Sequence, residues 1–458
     1  MDTALSSLSS VIGDIHHWIG ALLLITLQIG FITHVTATAR GKHRMHVLRN
    51  QLMVIPVLSL SCYLVGWWIY HAFPMGSGIA ASLSGAGEHL PWSQLMAGFL
   101  YAGDLNVPKE PHVSWVSFML MSSLVGAVIA GATIERIRAF ALLLLVFICG
   151  SIFWAIGAAW GFSADGWMVQ VMGFHDAFGG GTLHGVAGGF CLAVLLRLGP
   201  RIGKFDASGS AHSMFPHNPT GAATGRLLII IGLLGMTFVA TTPMIDVQSG
   251  EGVFFSLVTI YNTPTTLSGV SLNFFLAMSA GLLVGLVLAN GHLTWTLSGG
   301  LAGIVGTASG ADLYHPLQAF IVAGFIVWLI HRMHRWLENK FYIDDAIAAV
   351  AVHGFAGWLG VVIAGFLLWG YPASPGEAYV IINPLGQFIG AMILFWVVGY
   401  IPGYIAAGAL EYFDLLRVPE AVEIAGIDLA AEVEMRQDAD AVIKSEKQAV
   451  QELIDSRG

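Results

Sequence analysis

An all-α integral membrane protein with eleven transmembrane helices is the fold class that the sequence predicts. Of the 458 residues, 56% are hydrophobic and 10% are charged, and the mean hydropathy is +0.75. Soluble proteins carry about 25% charged residues, so this composition excludes an ordinary soluble domain. The apolar residues are gathered into runs of roughly 18 or more, which is the length needed to cross a bilayer. Most basic residues lie between those runs, as is typical of membrane proteins.

The eleven apolar runs are separated by Pro, Gly or charged residues. At about 1.5 Å per residue, a helix of this length spans a hydrocarbon core of about 30 Å. The eighth run is rich in Gly, which weakens its helix signal. The predicted helices cover residues 12–37, 50–73, 111–133, 139–162, 175–197, 224–247, 265–290, 293–311, 315–334, 346–370 and 384–411.

Basic residues predict the orientation of the chain. All but one of the 19 Lys and Arg residues fall on one side of the predicted membrane, and Lys109 is the exception. The positive-inside rule therefore places the N-terminus outside and the C-terminus in the cytoplasm, in a multi-pass protein of the cytoplasmic (inner) membrane. The net charge of -9 indicates no nucleic-acid partner, because the charges lie almost wholly outside the apolar runs. Residues 1–414 are predicted to form the membrane domain, and residues 415–458 a partly helical cytoplasmic tail.

One motif occurs twice within the apolar part of the chain. Asp176 lies eight residues before His184, Asp345 lies eight before His353, and the matched residues are 169 positions apart. Five predicted helices reach the end of each copy, and an odd number gives the two units opposite topology. This pattern predicts a five-plus-five inverted repeat whose two histidines face each other near the membrane midplane. The predicted units are 12–197 and 224–370, followed by an extra helix at 384–411.

The duplicated histidines admit two interpretations. A single buried histidine is as often a packing residue, hydrogen-bonded to a carbonyl group, as a functional one. A polar side chain at membrane depth is costly, so two histidines at matched positions favour a function. Gly185 and Gly354 follow the histidines directly, and with Gly188 and Gly357 they predict a close approach of the two helices.

The remaining polar and reactive residues of the apolar runs are interpreted as structural. Asp176 and Asp345 are predicted to begin helices, where a carboxylate caps free N–H groups, and this role is favoured over ligand contact. Cys62, Cys149 and Cys191 lie in apolar runs without metal-type spacing and are predicted to be packing residues. No nucleophile lies beside a base in the sequence, so neither an enzyme nor a cofactor is predicted.

Two neutral imidazoles in an otherwise apolar pore favour a small neutral molecule that can donate and accept hydrogen bonds. A desolvated cation would pay on the order of tens of kcal/mol at the membrane centre with only two nitrogen partners. A cation that can lose a proton avoids that penalty. Ammonium can do so and potassium cannot, so the pattern predicts selection by loss of a proton.

Several segments give the chain a family resemblance. The two histidine segments and the run Glu-Arg-Ile-Arg at 135–138 are specific when taken together. With them the sequence resembles the ammonium transporter (Amt/MEP/Rh) family, on its Amt side. The segments that carry the resemblance are 131–138, 176–184, 216–218, 343–354 and 416–419.

The resemblance implies a homotrimer with one pore per subunit and conduction of ammonia derived from external ammonium. It implies that His184 and His353 are the twin pore histidines. Trp160 is similar to the tryptophan of an outer recruitment site, where a ring face attracts a cation. The alternative for Trp160 is an aromatic anchor at the membrane interface. A nitrogen-regulatory protein of the PII type is the implied partner of the cytoplasmic tail.

The chain also departs from the family pattern. Met121 and Met236 align with two gating phenylalanines, and Ala240 aligns with a serine that helps to hold the cation. An unbranched, flexible gate without a neighbouring hydroxyl predicts weaker cation binding at the vestibule. These departures leave two alternatives to a conducting channel. One is an ammonium sensor that signals through its tail with little flux, and the weaker one is a pathway for another small neutral gas.

Overall fold

The computed structural model describes residues 2–74, 87–93, 110–248, 252–373, 380–433 and 448. Helices dominate it, and within the described residues ten are long and apolar enough to cross a membrane. The predicted fold class, an all-α membrane protein, is therefore confirmed. The ten spans are Val11–Thr38, Gly41–Ala72, Ser114–Ala132, Ala139–Gly161, Gly180–Leu198, Pro219–Val239, Leu267–Leu288, Pro316–Phe341, Val350–Leu367 and Pro384–Tyr412.

The predicted helix at 293–311 is present but short. It runs from Leu293 to Thr307 and continues as the 3-10 turn Ala308–Gly310. Its 15 residues rise only about 22 Å at 1.5 Å per residue, less than a hydrocarbon core. Ten spans and this shorter helix are consistent with eleven crossings.

The spans of the N-terminal half are built from regular helix interrupted by wider π-helical turns. The π-turns are Cys62–Gly66, Ile148–Phe153 and Gly180–Gly185. The α-helices are Asp2–Thr38, Arg44–Ser61, Trp67–Ala72, Glu110–Ala132, Ala139–Phe147, Trp154–Gly161, Trp167–Met172 and Val186–Leu198, with 3-10 turns at Gly41–His43 and Gly87–His89.

The C-terminal half follows the same plan. Its π-turns are Val350–Phe355 and Ile393–Tyr400. Its α-helices are Pro219–Leu233, Gly235–Val239, Leu267–Leu288, Leu293–Thr307, Pro316–Phe341, Ala356–Leu367, Pro384–Met392, Ile401–Tyr412 and Glu420–Ala425. Residues 427–433 are also helical, and most of the predicted tail beyond them lies outside the described residues.

One predicted helix ends early. The helix predicted at 224–247 stops at Val239, and Thr241–Gln248 is instead a strand paired antiparallel with Gly252–Thr259. Pro264–Thr265 adds a third short strand at the edge. Two β-branched threonines and Pro243, which lacks an N–H group, follow Ala240 and disfavour a further helical turn. The segment is apolar enough for either a helix or a buried strand, so hydropathy alone did not distinguish the two structures.

Small residues let the first span lie against the first span of the second half. A Cβ placed on Gly232 would lie 2.5 Å from the backbone of Leu27, and one on Gly30 would lie 2.6 Å from the Ile229 nitrogen. Only glycine permits such approaches. This backbone contact holds Asp2–Thr38 beside Pro219–Leu233, with the Thr38 end of the first helix next to the Pro219 end of the second.

A buried ion-pair network joins the segments at the predicted cytoplasmic ends. Arg201 binds both oxygens of Asp344, with Nε–Oδ2 at 2.8 Å and Nη2–Oδ1 at 2.9 Å. Glu135 accepts from Arg40 at 2.5 Å. The tail joins the same network, because Glu423 accepts from Arg417 at 2.8 Å and from the Ile202 nitrogen at 2.7 Å. Five separate stretches of the chain are tied together by these contacts.

Candidate functional site

The two predicted histidines lie against each other. Nδ1 of His184 and Nδ1 of His353 are 2.9 Å apart, and the ring centroids are separated by 4.9 Å with 26° between the planes. Each residue is 2% exposed. In such a contact between neutral rings one Nδ1 donates and the other accepts. One ring therefore keeps a free Nε2 acceptor, and the other presents an Nε2–H donor.

Matched backbone features position both rings. His184 lies in the π-turn Gly180–Gly185, and His353 lies in the π-turn Val350–Phe355. π-turns widen a helix locally and are frequent at functional sites. Each leads directly into a regular helix, so the two histidines occupy equivalent positions in the two halves.

The two aspartates hold the starts of these segments. Oδ2 of Asp176 accepts from the backbone N–H groups of Gly181 at 2.9 Å and Thr182 at 2.7 Å, and Oδ1 accepts from Ser309 at 2.7 Å. Asp345 accepts from the backbone N–H groups of Ala349 and Val350, both at 2.7 Å. Both oxygens of each carboxylate are thus engaged in fixing the turn that carries the histidine.

Glycines set the distance between the halves, but not all four contribute. A Cβ on Gly188 would lie 2.0 Å from Cα of Gly354, and one on Gly357 would lie 2.0 Å from the carbonyl oxygen of Gly180. A Cβ on Gly185 would meet that oxygen at 3.7 Å, an ordinary contact. The close approach therefore depends on Gly188, Gly354 and Gly357 and does not require Gly185.

A small apolar cavity adjoins the pair. Its volume is about 30 Å³, enough for one or two water-sized molecules. His184 lies on its wall beside Phe178, Met236 and Phe274. Met236 is 3% exposed and lines the same cavity as His184. On the far side of the pair, Phe31 lies 6.1 Å from the ring of His353.

The other predicted site residues are not brought to this cavity. Met121 is 6% exposed within the main apolar core and is absent from the cavity wall. Trp160 is partly buried and packs edge-on against Trp167 with a centroid distance of 5.7 Å. Of the residues predicted for recruitment and gating, only Met236 lies with the histidines.

A second buried pair, His175 and Asp312, was not predicted. Nε2 of His175 is 3.0 Å from Asp312, and both side chains are fully buried. Burial acts to lower the pKa of His175, but the carboxylate of Asp312 raises it above its ordinary value. The hydroxyl of Tyr261 donates to the carbonyl of Gly161 at 2.6 Å and receives the N–H of Asp176 at 3.1 Å. These partners are 85 to 137 positions apart and carry no spacing signal in the sequence.

A third feature lies on the opposite side of the pair. His34 and Arg226 line a cavity of about 160 Å³ that shares no lining residue with the cavity at His184. Arg226 is one of the basic residues that the charge pattern placed on the cytoplasmic side, and it lies inside the Pro219–Leu233 helix with 4% of its surface exposed. In the sequence, an arginine near the end of an apolar run has the pattern of a charge that flanks a helix. Whether its side chain is buried depends on the neighbouring helices, which this local pattern does not specify.

Comparison with known proteins agrees with this architecture. Residues 16–436 match the model of the Ammonium Transporter Family. The chain belongs to the ammonium transporter family. It is 28% identical over 321 residues to ammonium transporter Amt1 of Methanocaldococcus jannaschii, covering 69% of this chain and 75% of that protein. It is 26% identical over 469 residues to ammonium transporter 1 member 3 of Solanum lycopersicum, covering 93% of each.

Solved structures of Amt and Mep proteins share the fold. A protein titled "Sensor Amt Protein" superposes with a TM-score of 0.74 at 19% identity, covering 93% of this chain and 99% of that one. Mep2 of Saccharomyces cerevisiae gives 0.69 at 18% identity, covering 90% and 88%. The chain is thus a multi-pass membrane protein of the ammonium transporter family and not an enzyme. The resemblance inferred from the histidine segments is confirmed.

Proposed function

We propose that this family member conducts ammonia, derived from external ammonium, through the pore that contains His184 and His353. The observation that supports the proposal is the contact of two buried imidazoles at 2.9 Å beside an apolar cavity of about 30 Å³. The pair offers one acceptor and one donor, which suits ammonia. None of the described residues that line this cavity is acidic, so a dehydrated cation has no negatively charged partner among them and ammonium leaves its proton in the outer solution.

Ammonium-driven alkalinisation of the lumen of proteoliposomes tests this function. We expect His184→Ala and His353→Ala each to lower the initial rate about tenfold, because the neutral molecule loses a hydrogen-bond partner in a dry pore. His292→Ala is a matched control, since that side chain is exposed at the end of a connection. Equal rates for all three variants and the wild type would exclude the proposed pore.

We propose that Trp160 recruits ammonium at the outer side. Its support is the family resemblance and its partly buried ring. A cation–π contact at a wet site contributes about 0.5–1 kcal/mol. We expect Trp160→Ala to raise the half-saturating ammonium concentration about two- to fivefold and Trp160→Phe to raise it less. Trp369→Ala, at a 65% exposed residue, serves as the control, and an identical shift there would remove Trp160 from the recruitment site.

A sensor with little flux is the second candidate. The observation that favours it is the attachment of the tail to the inner face. Glu423, 1% exposed, accepts from the Ile202 nitrogen at 2.7 Å, and Asp428 accepts from the Met45 and His46 nitrogens at 2.9 Å. Because of these hydrogen bonds, a movement of the segments at 45–46 and 202 would be transmitted to the tail. Alkalinisation by the wild type at a rate that depends on the histidines would leave no need for this candidate.

The proposal includes two associations taken from the family resemblance. We infer a homotrimer with one pore per subunit and a PII-type regulatory protein bound at the cytoplasmic face. Light scattering of the purified protein, alone and with such a regulator, measures both masses. A monomer in mild detergent, or no shift on adding the regulator, would contradict the respective association.

A further inference from the structure

A buried guanidinium lies at the inner end of the pore without a carboxylate at contact distance. Nε of Arg226 donates to Nε2 of His34 at 3.1 Å, and Nη2 donates to the carbonyl of Ile347 at 3.4 Å. Nη1 donates to the Thr294 carbonyl and the Ser298 hydroxyl. All four acceptors are neutral. Among the described residues, no acidic group lies within 4 Å of Arg226.

The acidic residue that interacts with this guanidinium at longer range is Asp345. Its two oxygens are occupied by the N–H groups of Ala349 and Val350, at the start of the segment that carries His353. Its charge is thus directed to that helix start. The group that faces the inner cavity is the guanidinium, which stays protonated in proteins.

The guanidinium lies beyond the twin histidines on the way to the cytoplasmic side. The ring centroids of Phe31 and His353 are 6.1 Å apart, and His34 lies about one turn after Phe31 on the same helix. His34 and Arg226 then line the inner cavity, whose wall includes the exposed residues Pro219 and Thr294. A particle that reaches that cavity lies beside Arg226.

The hydrogen bonds of His34 hold it neutral. A guanidinium can only donate, so Nε2 of His34 must be the acceptor in its contact with Arg226. The ring proton is then on Nδ1, which donates to the carbonyl of Ala222 at 2.8 Å. Taking up a second proton would break the bond to Arg226 and place two positive charges side by side. The series of imidazoles that can exchange a proton therefore ends at His353.

We propose that Arg226 makes the inner end of the pore a barrier to cations and protons, so that conduction is electroneutral. This inference rests on the proposed function. Ammonium releases its proton to the outer solution, and ammonia crosses with its three hydrogens. In the cytoplasm it takes a proton from water and leaves hydroxide. No net charge crosses, because the fixed positive charge of Arg226 repels a cation in a medium of low dielectric constant.

Simultaneous records of luminal pH and of current in proteoliposomes test the barrier. The wild type is expected to alkalinise the lumen without ammonium-driven current. Arg226→Gln removes the charge and keeps amide donors, and we expect it to carry an ammonium-driven current that approaches one charge per ammonia, with correspondingly less alkalinisation. Arg226→Lys retains a basic side chain that can carry a charge, and we expect it to move less charge per ammonia than Arg226→Gln. Thermal melting in detergent checks that both variants remain folded.

The possible outcomes separate this barrier from the proposed function. A wild-type current of about one charge per ammonia would overturn the barrier and leave the pore intact; the lumen would then alkalinise little, because a proton would accompany each ammonia. An electroneutral Arg226→Gln variant would also overturn the barrier. If Arg226→Gln does not assemble, an ammonium-driven current through the wild type overturns the barrier, and alkalinisation without that current supports it. Neither alkalinisation nor current in any liposome would remove the proposed function, and this inference with it.

Discussion

Gly188→Ala is expected to separate the histidine pair and to lower ammonium-driven alkalinisation at least tenfold. The added methyl group would lie 2.0 Å from Cα of Gly354 and 2.3 Å from its nitrogen. Both obstacles are backbone atoms, so no side-chain rotation can relieve them. The two helices must move apart by more than 1 Å, and overpacking of this kind costs about 1–3 kcal/mol. The imidazoles, now 2.9 Å apart at Nδ1, would lose their hydrogen bond.

A matched control lies three residues away. Gly185→Ala adds the same methyl group to the same segment, where it meets only the carbonyl oxygen of Gly180 at 3.7 Å. We expect its alkalinisation rate and melting temperature to stay near those of the wild type. Melting in detergent, combined with alkalinisation rates, measures both variants. If the two variants have equal alkalinisation rates and melting temperatures, the close approach of the two halves does not depend on the Gly188–Gly354 contact.

The histidine pair was accessible from sequence because repetition carries three-dimensional information. A copied motif at a separation of 169 residues implies equivalent places in two units, and two-fold related units bring those places together. Hydropathy likewise predicted eleven spans, and ten helices of the described residues are long and apolar enough to be spans, since burial in lipid is a property of each helix by itself. Both inferences depend on patterns within one segment or between two copies of it.

The parts that escaped prediction depend on which segments become neighbours. The guanidinium of Arg226 draws its acceptors from residues 34, 294, 298 and 347, and no local pattern connects them. The pair of His175 and Asp312 joins residues 137 positions apart. Gly185 and Gly188 both lack a Cβ, but only Gly188 lies against the backbone of the other half. In each case the packing partner decides the role.

Asp344→Asn is expected to destabilise the protein by about 3–5 kcal/mol, the usual cost of removing one partner from a buried ion pair. Asp344 accepts from the Arg201 side chain at 2.8 and 2.9 Å and lies 3.6 Å from Arg136. Burial acts to raise its pKa, but these two guanidinium groups hold the pKa of the Asp344 carboxyl well below its usual range. The neutral amide would leave Arg201 with Glu135 at 3.6 Å as its remaining acidic partner.

The pH dependence of the effect identifies its cause. Because the pKa of Asp344 is lower in the folded protein, the stabilisation is complete above the ordinary carboxyl pKa of about 4 and is lost as the pH falls through the folded value. The difference in melting temperature between the wild type and Asp344→Asn should therefore shrink below about pH 4. Glu411→Gln is the control, because its pair with Arg197 is exposed and contributes at most about 1 kcal/mol. If Asp344→Asn lowers the melting temperature at neutral pH no more than Glu411→Gln does, the buried ion-pair network does not stabilise the protein as proposed.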